Sequence, residues 1–194
     1  MDYRIGRDKL LDRLRLWNGY LQRRVRLVAC GGTALTLLGF KESTKDIDLM
    51  VPEPKEYEYL IRMLTSIGYR RTTENGWRTE DIFIFDIYRG NFVHTTELLE
   101  SPLEEGNHTV LADLSRIQLS ILNDYDLIIT KLFRGTAVDF DDCMAHAKGR
   151  RGSLDLGRLE KRFRETASYA VGEDRVKKNL DIFLERLKEE GYDS

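Results

Sequence analysis

Two aspartates, Asp46 and Asp48, stand two residues apart inside an otherwise apolar run of the chain. If this run is a β-strand, side chains i and i+2 leave the same face, so the two carboxylates lie side by side while Ile47, Leu49 and Val51 face a core. Two neighbouring carboxylates repel each other unless a cation lies between them, and carboxylate oxygens suit Mg²⁺ or Mn²⁺. The pair therefore predicts a divalent-metal site.

A glycine pair, Gly31-Gly32, comes about fifteen residues before the aspartates and opens a short apolar helix. Glycine permits a tight turn, and the free N–H groups of the helix start, with Thr33, can face a phosphate. Ser43 and Thr44 could also reach a triphosphate, or they could cap the loop. A glycine pair alone is more often an ordinary turn, but a phosphate loop followed by a metal pair predicts phosphoryl chemistry on a nucleotide.

A third carboxylate, Asp86, is the only charged residue in the apolar stretch 82–88. Burial of an isolated charge is costly or forces protonation, so Asp86 needs a partner. One interpretation is an aspartate at a strand end, in water or capping a turn. The other places Asp86 beside Asp46 and Asp48, where three carboxylates could hold two metal ions.

These blocks carry a family resemblance. G-G-x-A-L-x-L-x-G followed by S-T-K-D-I-D-L resembles the signature of the DNA polymerase β-like nucleotidyltransferase superfamily, and most closely a small prokaryotic branch that includes the abortive-infection (AbiEii-type) toxins. The resemblance covers roughly residues 25–145. It implies that the glycine element positions the triphosphate of an NTP and that all three aspartates bind Mg²⁺ or Mn²⁺. It also implies that Asp86 helps to deprotonate the acceptor hydroxyl.

A second block, residues 124–132, is similar to a D-L-I-x-x-K-L helix of the same family. The resemblance implies that Lys131 approaches the nucleotide phosphates, whereas the alternative is a lysine on a solvated face. Arg134, Asp139 and Asp142 follow where relatives carry further basic and acidic residues. Asp139 could instead cap the next helix, and Asp142 could orient Lys131 or Arg134.

Residues 148–166 contain seven basic and three acidic side chains. Such a stretch could bind an RNA backbone electrostatically, although a solvated helical face is the more common explanation. The resemblance implies an RNA acceptor, in particular tRNA, and an antitoxin protein as a partner.

Composition places the chain among ordinary globular proteins. It has 194 residues, a net charge of −2, 41% hydrophobic and 33% charged residues. No apolar run is long enough to span a bilayer, and the N-terminus does not resemble a signal peptide. Cys30 and Cys143 lack metal-ligand spacing. These features predict a cytoplasmic protein with reduced thiols.

Hydrophobic periodicity and turn residues predict an α+β fold: a polymerase β-like core with a mixed sheet flanked by helices, then a helical C-terminal part. The predicted division is a core of residues 1–122 and a helical part of residues 123–194. Strands are predicted at 25–30, 45–51, 69–71, 81–88 and 117–122. Helices are predicted at 7–22, from 33, and at 55–67, 124–133, 139–148, 156–169 and 174–190. Residues 91–108 are predicted to form a loop with a short helix.

The chain is therefore predicted to be an enzyme that moves a nucleoside monophosphate from an NTP to a hydroxyl acceptor and releases pyrophosphate. A toxin–antitoxin role is implied by the resemblance alone. Two alternatives stay open. One is a non-catalytic nucleotide- or RNA-binding module with the same fold, and the other is an enzyme that attaches AMP to a protein.

Overall fold

This computed structural model describes residues 3–80 and 83–192 of the chain. They contain seven helices and eleven strands. The helices are α1 (Arg7–Tyr20), α2 (Gly31–Leu38), α3 (Pro54–Ser66), α4 (Asp124–Arg134), α5 (Ala137–Gly149), α6 (Leu156–Ala167) and α7 (Glu173–Glu189). The strands are β1 (Ile5–Gly6), β2 (Val25–Ala29), β3 (Ser43–Thr44), β4 (Ile47–Val51), β5 (Arg70–Arg71), β6 (Gly76–Arg78), β7 (Phe85–Arg89), β8 (Phe92–Val93), β9 (Thr96–Glu97), β10 (His108–Asp113) and β11 (Ile117–Leu122).

The central sheet has seven strands in the order β10-β11-β2-β4-β7-β6-β5. The pairs β11/β2 and β4/β7 are parallel, and the remaining neighbours are antiparallel. Helices flank this mixed sheet, which confirms the predicted α+β class.

Strand register brings distant residues of the chain opposite each other. In the parallel pair β4/β7, Asp48 lies opposite Asp86. In the antiparallel pair β6/β7, Gly76 also lies opposite Asp86. In the edge pair β5/β6, Arg70 lies opposite Arg78. The sheet therefore contains one pair of facing carboxylate residues and one pair of facing arginines.

Helix α1 covers one face of the sheet with a buried aromatic cluster. The Trp17 and Phe85 ring centroids are 4.6 Å apart, and the Trp17 indole N–H donates to the Tyr69 hydroxyl at 2.9 Å. Phe85 directly precedes Asp86 in β7, and side chains alternate between the faces of a strand. Packing of Phe85 in the core thus directs Asp86 to the other face.

The buried hydrophobic side chains form two clusters. One extends along the chain from Ile5 to Leu127 and the other from Ile128 to Leu187. Helix α4 contributes to both, and its start is capped by the Asn123 side chain, which accepts from the Asp126 N–H at 2.8 Å. The helical C-terminal residues therefore have a core of their own that joins the sheet through α4.

Several predicted elements are confirmed with shifted ends. Helix α1 ends at Tyr20 because Leu21 is already extended (φ −70°, ψ 137°). Helix α2 begins at Gly31, two residues earlier than predicted. The predicted strand 81–88 corresponds to β7, which ends at Arg89, and its first two residues, 81–82, lie outside the described part of the chain.

The prediction for residues 91–108 is wrong in part. The described chain has no helix there, and the hairpin β8/β9 and turns occupy the segment. The next strand, β10, was not predicted because it lies at the sheet edge and is largely exposed, so it lacks the apolar alternation of a half-buried strand. No helix in the described residues has the length and apolar character needed to cross a membrane.

Candidate active site

The glycine pair and the two aspartates meet at the point where β2 leads into α2. Gly31 has a φ of +54°, and a Cβ at this position would lie 2.4 Å from Asp48 Oδ2. The Gly32 N–H donates to the same carboxylate oxygen at 3.1 Å. Glycine is thus required here for two reasons, a left-handed backbone and the close approach of the Asp48 carboxylate. The sequence pattern suggested the turn but not this second reason.

The hydroxyls predicted to face phosphate support the backbone beside the aspartates. Thr33 Oγ1 accepts from the Asp48 N–H at 2.8 Å and donates to the Asp46 carbonyl at 3.3 Å. Thr44 Oγ1 donates to the same carbonyl at 3.0 Å, and Ser43 Oγ accepts from Arg4 Nε at 2.9 Å. The backbone around Asp46 is held by these bonds, and phosphate contact by Thr33, Ser43 and Thr44 stays a prediction.

Burial raises the pKa of each of the three aspartates, and a neighbouring carboxylate raises it further for Asp48 and Asp86. Burial raises the pKa of Asp48 to about 7, with a further contribution from the negative charge of Asp86. The pKa of Asp86 is raised by burial and then by Asp46, and burial raises that of Asp46. Each shift means that the ionised carboxylates lack sufficient positive charge around them. A cation between them would remove this penalty.

The donor set fits a hard divalent cation in chemistry and charge, since it consists of carboxylate oxygens that repel one another. In residues 3–80 and 83–192, however, no group of three His, Cys, Asp or Glu side chains is already arranged to hold a metal ion. Asp48 and Asp86 face each other in register, and Asp46 stands one residue before β4. Metal binding by the three therefore stays a prediction.

Lys131, the predicted phosphate ligand, is buried in an ion-pair network. Its Nζ donates to Asp142 Oδ2 at 2.7 Å and lies 3.8 Å from Asp139 Oδ1. Lys41 Nζ donates to the other Asp142 oxygen at 2.7 Å. Asp142 thus orients Lys131, one of the two possibilities that the sequence left open. Because the lysine is only 2% exposed, phosphate contact would require it to move, and that role stays a prediction.

Arg134 is the basic side chain whose charge acts on all three site aspartates, and sequence reasoning gave it no role. It donates from Nε to Asp139 Oδ2 at 2.8 Å and from Nη1 to His94 Nε2 at 3.0 Å, and it keeps 40% of its side-chain surface exposed. Its positive charge counteracts the upward pKa shifts of all three site aspartates. The only signal in the sequence was its position after the helix 124–132, where relatives carry a basic residue.

His94 connects Arg134 to strand β7. Its ring lies 3.0 Å from the Tyr88 hydroxyl through Nδ1, and its backbone φ of +52° is in the left-handed region. Burial, followed by the charge of Arg134, lowers the pKa of His94 to about 4, so the ring is neutral at pH 7 and Nε2 can accept from the guanidinium. Asp139 also accepts from the Thr136 N–H, which makes it the N3 residue of a capping box whose N-cap is Thr136.

The basic segment 148–166 is occupied by internal contacts. Arg162 pairs with Asp126 at 2.7 Å, and Arg150 pairs with Asp124 at 3.0 Å. Further contacts place Arg158 over the Tyr125 ring, Arg151 over the Tyr192 ring and Arg164 beside Glu160. These five arginines hold the helical part together, so the segment is a poor candidate for RNA contact.

Similar solved structures support the fold. The crystal structure of ANT(2")-Ia with adenylyl-2"-tobramycin has a TM-score of 0.58 and 12% identity, and the match covers 84% of this chain and 98% of that chain. The lincosamide antibiotic adenylyltransferase LnuA, with lincomycin bound, has a TM-score of 0.52 and 14% identity, covering 78% of this chain and 100% of that chain. At these identities the likeness concerns the fold. A comparison with curated protein sequences finds no match.

One protein family matches almost the whole chain. The match spans residues 10–191, and the family is described as "Nucleotidyltransferase of unknown function (DUF6036)". It supports the nucleotidyltransferase superfamily that the motifs predicted and does not single out the abortive-infection branch. The chain therefore belongs to this family and is a nucleotidyltransferase.

Proposed function

We propose that the protein transfers a nucleoside monophosphate from an NTP to a hydroxyl acceptor and releases pyrophosphate. The observation that supports this most directly is the register of β4 and β7, which sets Asp48 opposite Asp86. Asp46 lies two residues before Asp48 and raises the pKa of Asp86 through its charge. Two structural neighbours, an adenylyltransferase and a protein in complex with an adenylyl-tobramycin, agree with transfer of an adenylyl group.

In this proposal Asp46, Asp48 and Asp86 hold Mg²⁺ or Mn²⁺. When bound, such ions neutralise the phosphates and the developing charge of the leaving pyrophosphate. Asp86 accepts the proton of the acceptor hydroxyl. The acceptor oxygen then forms a bond to the α-phosphorus as the bond from that phosphorus to the α,β-bridging oxygen breaks, and pyrophosphate leaves with that oxygen. The half-buried position of Asp86 beside the other two aspartates suits a general base.

Gly31, Gly32, Thr33, Ser43, Thr44 and Lys131 are proposed to contact the NTP. We add Arg134, because its guanidinium is partly exposed and close enough to act on the pKa of every site aspartate. Asp139 and neutral His94 already orient it. A guanidinium held in this way loses little further conformational freedom when it binds a phosphate oxygen.

The proposed acceptor is RNA, with tRNA as the first candidate. A toxin role with an antitoxin partner is supported by the motif resemblance alone. It would be tested by growth arrest on expression of the active protein but not of the Asp48→Asn variant. The proposed division into a core of residues 1–122 and a helical part of residues 123–194 is supported by the two hydrophobic clusters, which separate within α4.

The testing experiment incubates the purified protein with each NTP labelled at the α-phosphate, Mg²⁺ or Mn²⁺, and total RNA. Three samples are compared: wild type, the double variant Asp46→Asn, Asp48→Asn, and Asp141→Asn, which removes an exposed carboxylate elsewhere. Label is expected in RNA with wild type and Asp141→Asn only. Label in protein would favour the AMP-attaching alternative. NTP binding with no labelled product would favour the non-catalytic module, and equal labelling by all three samples would exclude the proposed site.

A further inference from the structure

A cleft of about 980 Å³ lies between α1 and the edge strands β5 and β6. Within residues 3–80 and 83–192, four arginines line it together with one carboxylate, that of Glu80; the arginines are Arg13, Arg70, Arg71 and Arg78. The cleft is thus strongly positive in a protein whose net charge is −2. Such a local excess concentrates an anionic ligand.

Two of these arginines form a facing pair. Arg70 and Arg78 are register partners in the antiparallel pair β5/β6, and both are exposed. Like charges directly opposite each other destabilise a sheet. Within the described part of the chain, neither guanidinium has a hydrogen bond or an ion pair. An anion bound between them would relieve the repulsion.

Arg71, which follows Arg70 in β5 and also lines the cleft, has a structural contact instead. Its Nε donates to the carbonyls of Thr73 at 3.2 Å and Glu74 at 2.9 Å, so it fixes the turn between β5 and β6. This turn is what holds Arg70 and Arg78 in register. Arg71 therefore has a structural contact within the protein, whereas Arg70 and Arg78 are available to a ligand.

The cleft also presents apolar surface. Tyr20 is 50% exposed and Leu16 is 49% exposed, and both side chains are in its lining. Sites for single-stranded nucleic acid combine a positive groove with aromatic side chains on which bases stack. An acidic peptide would use the arginines but would gain little from the tyrosine face, so the lining favours a nucleic acid.

Strand connections place the cleft next to the aspartates. Gly76 of β6 lies opposite Asp86 of β7, and Arg78 follows Gly76 by two residues. At ordinary strand spacing the Cα atoms of Arg78 and Asp86 are roughly 8 Å apart. Because Asp86 points to the face of the sheet opposite α1, a strand of RNA held in the cleft would reach the aspartates by passing around the sheet edge at β5.

We propose that the arginine cleft, formed by Arg13, Arg70, Arg71 and Arg78 with Tyr20, binds a single-stranded segment of the RNA acceptor. The inference rests on the proposed function, since it assigns the acceptor's position beside the transfer site. Arg70 and Arg78 contact phosphates of the RNA backbone, and Tyr20 stacks on a base.

The test measures binding of a fluorescein-labelled oligo(U) by anisotropy, with EDTA and without NTP, over a range of salt concentrations. The double variant Arg70→Glu, Arg78→Glu is expected to bind about tenfold more weakly or worse, because two phosphate contacts are lost. Its slope of log K against log salt is expected to become less negative by about 1.4, or about 0.7 for each contact on a single strand. Tyr20→Ala is expected to weaken binding about fivefold or more through lost stacking.

The matched control is Lys148→Glu, Lys161→Glu, which makes the same change in net charge on exposed residues of the basic segment. It is expected to bind oligo(U) as wild type does. Equal weakening by both double variants would show a nonspecific charge effect and overturn the proposal, as would unchanged binding by Arg70→Glu, Arg78→Glu. Binding of oligo(Glu) as tight as that of oligo(U) would assign the cleft to an acidic protein and likewise overturn it.

Failure of the cleft and failure of the proposed function are distinguishable. If wild type labels RNA and Arg70→Glu, Arg78→Glu binds and labels it equally well, the cleft proposal is wrong and the transfer proposal stands. If oligo(U) binding depends on Arg70 and Arg78 but wild type labels no acceptor, the cleft stands and the transfer proposal is wrong.

Discussion

The same sheet contains two pairs of facing residues with like charge, and the two pairs differ in how deeply they are buried. Asp48 and Asp86 are register partners in β4/β7, with Asp48 only 8% exposed and bonded to the Gly32 N–H. Arg70 and Arg78 are register partners at the sheet edge, both exposed. The buried pair suits a small cation that must be held in one place, whereas the exposed pair suits a flexible polyanion.

Electrostatic repulsion between like charges therefore has different consequences for a buried pair and for an exposed pair. For the aspartates, burial raises the pKa of Asp48 to about 7, so the free protein gives up part of its charge. For the arginines, water screens the repulsion and both charges persist. Ligand binding should therefore stabilise the aspartate pair more than the arginine pair.

The largest effect is expected at the general base. Asp86→Asn should lower the transfer rate by about a thousandfold, because the variant cannot take the acceptor proton while NTP still binds. The measurement is the single-turnover rate together with NTP affinity. Retention of more than about a tenth of the wild-type rate would contradict a base role for Asp86.

The second prediction concerns pH and stability without metal. The ordinary Asp pKa is 3.8, and that of folded Asp48 is about 7. Below pH 4 the Asp48 carboxyl is protonated in both the folded and the unfolded state. Between pH 4 and pH 7 only the folded state holds this proton, so the free energy of unfolding falls as pH rises. Above pH 7 the full penalty applies, about 2–4 kcal/mol. Raised pKa values of Asp46 and Asp86 act in the same direction.

Urea unfolding at pH 4.5 and pH 8 measures this effect. Asp48→Asn should lose most of the pH dependence and be more stable than wild type at pH 8, since its amide carries no charge and can still accept from the Gly32 N–H. Added Mg²⁺ should restore wild-type stability at pH 8. An unchanged pH dependence in Asp48→Asn would show that the repulsion lies elsewhere.

The third prediction tests the glycine that admits the Asp48 carboxylate. Gly31→Ala should destabilise the fold by about 2 kcal/mol, because its φ of +54° is strained for alanine and the new Cβ meets Asp48 Oδ2. Transfer should fall with it as the carboxylate is displaced. Gly19→Ala is the control, since it has open space around it and lies within α1. It should be neutral or slightly stabilising in thermal unfolding.

The smallest effect is expected at the basic residue beside the aspartates. Arg134→Gln should raise the KM for NTP about tenfold with a smaller change in kcat, since it removes one charge-assisted phosphate contact. Arg158→Gln, at a distant arginine stacked on Tyr125, should leave KM unchanged. If Arg134→Gln changes only protein stability, the guanidinium is structural.

The elements that carry the aspartates could be predicted because their evidence is local. The apolar strand of Asp48, the strand of Asp86 and the helix that starts at Asp124 are each readable in one window, although Asp46, predicted within the strand, lies one residue before it. The buried positions of Ile47 and Leu49 followed from the same alternation. The order of these elements along the chain was enough to suggest a shared site.

Contacts between distant residues could not be read in this way. The arginine pair depends on the register of two short strands that carry no apolar alternation. The bond from Arg134 to His94 spans forty residues and needs the left-handed backbone of His94. The internal contacts of the basic segment are of the same kind, so counting its charges suggested a free surface that the fold does not provide.

The most direct test of metal-dependent transfer at Asp48 is a Mn²⁺ titration of wild type and Asp48→Asn with bound NTP, followed by calorimetry and, at the same concentrations, by transfer rate. Metal-dependent transfer at Asp48 predicts that binding and transfer in wild type rise over the same Mn²⁺ range and that both are lost in Asp48→Asn. Transfer by wild type in excess EDTA at an undiminished rate, or equal Mn²⁺ binding and transfer by the variant, would contradict it.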